Sequence, residues 1–304
     1  MNDKITEKVR TLTRVWKECG RKGVPKVVDT IRGLEPEGPQ RILIVFWHGI
    51  GDLLMFYPLY SQLKKNFPQH EFDLGLLPGV DHRSIFPEGF EIPEKDFLKH
   101  HDFAFVLSFH MVEGSNHMTK AEFCVEQELG DLGTAPMALP RMPKPKNRLI
   151  GVHFQGTCLP GSTNPDEKVA KQVWDDLIEA GYVPLDLHME HVFHNPVNKP
   201  MEWQKRACRD LKPSLETLLM LIQRCHAVVA VASGPFVLSM CQNPNKTVYL
   251  EKNHKIDCYV KGFKNVIDLA RYDKDVLLQM LDSMYAPEKT VPCQPIKNIN
   301  EEVL

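Results

Sequence analysis

An aspartate stands at the end of His48-Gly49-Ile50-Gly51-Asp52, where the first strongly apolar stretch of the chain gives way to an amphipathic one. The residues alone leave two readings of that carboxylate open. It caps a helix, satisfying free amide N–H groups at the positive end of the helix dipole. Or it takes a proton from a hydroxyl as a general base, a role for which the same helix end keeps it ionised. Two small-residue turns offer a different chemistry. Gly156-Thr157 with Gly161-Ser162, and Ser233-Gly234-Pro235, each follow an apolar run and lead into a helical one. Backbone N–H groups and hydroxyls in such turns line a diphosphate. Lys168 or Lys171 would add counter-charge, and Glu190, just past a strand, would accept a bond from a ribose hydroxyl. His48 and His110 each follow an apolar strand, which makes them, with Gly51, candidate acceptor contacts. His188, His191 and His194 resemble a metal set at first sight. His188 and His191 lie between Pro184 and Pro196, however, so no long helix displays them together; surface histidines are expected there and no metal site.

The elements that must position these residues alternate strand with helix, twice over. Arg41 to Trp47 reads as a continuous apolar strand, followed by the glycine turn and a helix carrying Leu53, Leu54, Leu59 and Leu63. Strands follow at Glu71 to Leu77 and Phe103 to Phe109, then a helix at Thr119 to Leu129 and a proline-rich, basic linker at Met137 to Arg148. The alternation restarts with a strand at Leu149 to Phe154, a helix from Asp166 to Ala180 and a strand at Tyr182 to Leu187. A helix at Ser214 to Cys225, strands at Ala227 to Val231 and Thr247 to Leu250, and a helix at Asp273 to Tyr285 complete it. The pattern predicts an α/β protein with two parallel sheets facing across a cleft.

Bulk properties agree. A chain of 304 residues is large enough for two domains, and 43% hydrophobic with 25% charged residues is the composition of a folded globular protein. A formal net charge of −2 carries no basic footprint, so nucleic acid is not favoured as the main partner. The apolar runs are strand-sized, which predicts no transmembrane segment. The charged beginning of the chain lacks the apolar core of a secretory signal, so a cytoplasmic location is expected. The eight cysteines are scattered without a CxxC pair, as free thiols in a reducing compartment would be. A nicotinamide fingerprint is missing: after Gly49-x-Gly51 the third glycine position holds Leu54.

With these segments placed, the chain resembles the heptosyltransferase-type glycosyltransferases, family nine, from about Arg41 to Arg271. RILIVFWHGIGDLLMFYPLYSQLKKNFP is similar to the family's opening strand, Gly-Asp turn and helix. LIGVHFQGTCLPG with EKVAKQVWDDLIEAGY is similar to its strand, phosphate loop and following helix, Val169 standing where a tryptophan is expected. SLETLLMLIQRCHAVVAVASGPFVLSM resembles its Asp-Ser-Gly-Pro-x-His donor turn, with Ala232 in place of the aspartate and Val237 in place of the histidine.

The resemblance implies a divergent member with the GT-B architecture of two Rossmann-like domains. A helical extension, 1–40, precedes the acceptor domain, 41–147; the donor domain, 148–272, is followed by a helix and tail, 273–304. It implies an inverting, metal-independent transferase that uses a nucleoside-diphosphate sugar as co-substrate and no cofactor. Asp52 would be the acceptor-activating base and Lys168 a donor-phosphate contact, beside Gly156, Thr157, Glu190, Ser233, Gly234 and Pro235. The acceptor would be a glycan or other hydroxyl. Two alternatives remain: a bacteriophage-type enzyme acting on hydroxymethylated pyrimidines in DNA, and a non-catalytic nucleotide-sugar-binding protein.

Overall fold

The structure, a computed structural model, describes residues 31–34, 38–46, 50–76, 85–86, 89–91, 101–107, 148–156, 160–188, 214–253 and 263–285. The expected helix at Thr119 to Leu129, the linker at 137–147, and His48, His110, Thr157 and Glu190 lie outside them.

The first lobe is built on a four-stranded sheet of β1 (Arg41–Phe46), β2 (Glu71–Leu76), β3 (Gly89–Glu91) and β4 (Phe103–Leu107), in spatial order β3-β2-β1-β4. All its pairings are parallel. Helix α1 (Ile50–Asn66) follows β1. A parallel sheet covered on both faces needs apolar side chains on both sides of each strand, and Ile42, Leu43 and Ile44 in the middle of β1 are fully buried. Ile31 and Leu34, the buried apolar residues of the described helical turn 31–34, lie in the same core.

The amino edge of this sheet is tied by charge. The Arg41 side chain bonds the Asp73 carboxylate at 2.9 Å, His101 Nε2 lies 2.8 Å from the same oxygen, and the Arg41 N–H donates to Asp102 Oδ2 at 2.8 Å. These bonds join the starts of β1, β2 and β4 and leave the carboxyl edge for ligands.

The second lobe carries a five-stranded parallel sheet in the order β6-β5-β7-β8-β9. Its strands are β5 (Leu149–His153), β6 (Val183–Asp186), β7 (Ala227–Ala230), β8 (Thr247–Glu251) and β9 (Val266–Asp268). Between them run α2 (Pro160–Thr163), α3 (Glu167–Glu179), α4 (Leu215–Arg224) and α5 (Gly234–Gln242), with α6 (Lys274–Tyr285) last.

Helices α3 and α6 are anchored by their apolar stripes. Ala170, Val173 and Leu177 of α3 pack with Leu277, Leu281 and Met284 of α6 in one core. Polar bonds strap the same two helices: the Tyr272 hydroxyl donates to Asp176 at 3.0 Å, and Lys274 Nζ lies 2.6 Å from Glu179. Helix α4 begins on Ser214, whose hydroxyl accepts the Thr217 N–H at 3.0 Å. At its other end the buried Lys246 ammonium donates to Ile222 O at 2.9 Å, where cations suit helix carbonyls.

Candidate active site

In open α/β sheets the ligand lies outside the carboxyl ends of the strands, where the strand order reverses. In the second lobe that point falls between β5 and β7, because the chain leaves β5 for β6 on one side and returns to β7 on the other. Gly156 follows β5, and Ser233 and Gly234 follow β7. In the first lobe the order reverses between β1 and β4, and β1 leads into α1.

The two turns of the second lobe touch. Gly156 is buried, and a Cβ added there would run into the carbonyl oxygen of Ala232 and come within 3.0 Å of Thr163 Cγ2. Only glycine lets the two backbones approach this closely. The loop is also held from behind. The Gly156 N–H donates to Asn164 Oδ1 at 2.7 Å, while Asn164 Nδ2 donates to Gly156 O at 3.3 Å. The Asn253 N–H adds a bond to Ser162 O at 2.9 Å.

Ser233 is the N-cap of α5. Its hydroxyl donates to Val231 O at 2.9 Å and accepts the Phe236 N–H at 3.4 Å. Pro235 has no N–H to offer, so the first turn of α5 presents the Gly234 N–H, which lacks an intrahelical partner by the geometry of a helix start.

The first lobe meets this corner through Gly51. A Cβ at Gly51 would lie 3.3 Å from Val237 Cγ2, 3.6 Å from Gly234 Cα and 3.7 Å from Ser233 O. The starts of α1 and α5 therefore meet, with the Gly156 loop beside them. Helix α1 begins at Ile50, so Asp52 belongs to its first turn rather than capping it. The reason is local: Ile50 is buried in the core and joins the helix with Gly51, so the turn starts two residues earlier than the aspartate suggests.

The remaining sequence candidates divide. Lys168 is exposed in the first turn of α3. Lys171 pairs with Asp175 one turn along, which takes its charge away from the turns. His188 is no surface histidine: its ring nitrogens are buried, and it stacks on His153 with ring centroids 5.9 Å apart. Burial, reinforced by the His188 ring, pushes the His153 imidazole down to about 3. Burial pushes the neighbouring Asp186 carboxyl up to about 7, against the backbone N–H of His188 that donates to it at 2.9 Å. Among the described residues no group of three or more His, Cys, Asp or Glu side chains is arranged to hold a metal ion. Asp273 and Asp275 form an Asp-x-Asp pair, and the Asp273 carboxylate accepts the Asp275 N–H at the start of α6.

Sequence reasoning missed His153, Asp186 and Asn164. Asn164 did carry a signal, because an Asn-Pro pair marks a turn whose side chain bonds nearby backbone.

No family model matches the sequence, and no curated protein matches it. Solved structures do match in fold. The iron-containing dodecameric glycosyltransferase TibC from enterotoxigenic E. coli superposes with a TM-score of 0.51 at 18% identity, over 70% of this chain and 59% of that one. E. coli heptosyltransferase WaaC, solved with ADP-2-deoxy-2-fluoro heptose, gives 0.51 at 12% identity, over 80% of this chain and 99% of that one. The chain has the fold of the heptosyltransferases. It is the GT-B arrangement that the resemblance implied, built on the two parallel sheets expected from the strand and helix pattern. This chain spans less than two thirds of the length of TibC, at 59%, whereas it spans nearly all of WaaC. Among the described residues no helix is long and apolar enough to cross a membrane.

Proposed function

We propose that this protein is an inverting glycosyltransferase that moves a sugar from a nucleoside-diphosphate donor to an acceptor hydroxyl. The reading is carried by one observation: the starts of α1 and α5 meet beside the Gly156 loop. Two helix N-termini brought together concentrate positive potential, which an anionic ligand offsets. A diphosphate lying over the Gly156 loop and the Gly234 N–H would use that potential, with Lys168 and Thr157 as further contacts and Glu190 on the ribose. Similarity in fold to an enzyme solved with an ADP-linked sugar supports the same donor class.

In this reaction Asp52 accepts the proton of the acceptor hydroxyl as its oxygen attacks the anomeric carbon. The bond from that carbon to the diphosphate oxygen breaks on the opposite face. The electron pair leaves with the nucleoside diphosphate, and the configuration inverts. Charge growing on the leaving group is met by the helix starts and a lysine rather than by a metal ion. His48, Gly51 and His110 would contact the acceptor, a glycan or similar hydroxyl compound in the cytoplasm.

A thermal-shift screen of ADP-, UDP-, GDP- and CMP-linked sugars tests the donor assignment, because a ligand that binds only the folded state raises the melting temperature. One of the three diphosphate-linked classes is expected to do so; a flat result with those three, or a response to the CMP-linked sugars alone, would end the proposal. With that donor and an accepted acceptor, Asp52→Asn should lower turnover by about 10²- to 10⁴-fold and leave donor affinity unchanged. Undiminished transfer by that variant would remove Asp52 from the mechanism. Donor binding with no turnover on any acceptor would leave a nucleotide-sugar-binding protein.

A further inference from the structure

We infer that Asn164 is the positioning residue of the donor site, holding the Gly156 loop in the one place where it and the turn of α5 can share a single diphosphate. This rests on the donor reading above and deepens it. Its basis is a pair of bonds made by one carboxamide: Asn164 Oδ1 accepts the Gly156 N–H at 2.7 Å, and Asn164 Nδ2 donates to Gly156 O at 3.3 Å. Both backbone polar groups of Gly156 are thereby taken up by a side chain eight residues further along. The peptide groups of a loop residue otherwise turn to whatever partner is near, water included; here their direction is set.

The direction matters because of what lies opposite. Gly156 sits against the Ala232 carbonyl so closely that no Cβ fits between them. A loop free to relax would move away from that carbonyl, and the gap between the loop and Ser233-Gly234 would widen. The segment carrying Asn164 is itself braced. Thr163 is buried, the Ser162 carbonyl accepts the Asn253 N–H at 2.9 Å, and Asp166 pairs with Lys252 at 3.0 Å. The clamp therefore hangs from the two residues that follow β8, which tie the loop to the end of that strand. Because its Nδ2 and Oδ1 both serve Gly156, Asn164 acts through the loop.

Such a role has a signature that a general contribution to folding lacks. The diphosphate lies over the loop, whereas the base and ribose do not, so the loss should fall on the diphosphate alone. The experiment is calorimetric titration of the full chain with ADP, UDP, GDP and CDP and with the matching nucleosides. It is run on the parent, Asn164→Ala and Asn164→Asp, after a melt has established which variants fold. Asn164→Asp keeps an acceptor for the Gly156 N–H, so it secures a folded comparison. It cannot donate to Gly156 O.

For the diphosphate that the parent binds, both variants should lose about tenfold or more in affinity, while the matching nucleoside stays within about twofold. A folded variant that binds the diphosphate as tightly as the parent overturns the inference. So does an equal loss for diphosphate and nucleoside, which would mark Asn164 as a residue of the fold only. A parent that binds none of the four diphosphates overturns the donor reading itself, and this inference with it.

Discussion

His153 and Asp186 occupy adjacent strand ends, and burial drives their protonation in opposite directions. His153 ordinarily takes a proton below 6.5, yet in the fold it stays neutral down to about 3. Its contribution is therefore lost as pH falls below 6.5, because the unfolded chain binds the proton and the folded one does not. Asp186 ordinarily ionises above 3.8 but in the fold holds its proton to about 7. Its contribution runs the other way, present at low pH and lost as pH rises from about 4 to about 7. Between these limits the two slopes cancel, since folding in effect moves one proton from an imidazole to a carboxyl. Asp186→Asn unmasks the histidine. Urea unfolding across that range should show the parent losing stability relative to the variant as pH rises, by up to about 1.4 kcal/mol per pH unit. A difference that stays constant with pH would contradict the buried acid. None of this was legible in the sequence, because a histidine at a strand end reads the same whether its ring is buried or wet. That Asp52 stands near the start of a helix was legible from the glycine before it, although its place inside the first turn was not.

The long elements were readable because their patterns repeat. β1 is one apolar run, and α3 and α4 keep a buried stripe, so sequence and structure agree on them to within a residue or two. β3 and β9 were not readable: each is a three-residue edge strand, Gly89–Glu91 and Val266–Asp268, too short to show a period. Contacts between elements were also hidden, above all the meeting of α1 and α5. Gly51 is helical, so alanine would ordinarily stabilise it by about 1 kcal/mol. Here its Cβ would press on Val237 Cγ2 at 3.3 Å, which the neighbour must yield to accommodate. Gly51→Ala is accordingly expected to destabilise the parent, yet to stabilise a Val237→Ala background. Denaturant midpoints of the four proteins should give a coupling of about 1 kcal/mol or more. Strict additivity would mean that the two helices do not touch there.

At the scale of the molecule, one core runs through both lobes. Ile42, Leu53 and Leu74 of the first belong to the same buried cluster as Leu218, Phe236 and Val237 of the second. A shared core couples the lobes energetically, so scanning calorimetry should record a single endotherm whose calorimetric and van't Hoff enthalpies agree. Two resolved transitions would show instead that each lobe melts alone. The two sheets themselves were legible from strand and helix alternation, but their common core was not, because apolar periodicity tells which face of a helix is covered and never by what. The seam at Val237 also bears on how the polypeptide tolerates being cut. Severed between its lobes, it would yield two fragments that each bare an oily face, and each would clump or find the other again before it could survive in water by itself.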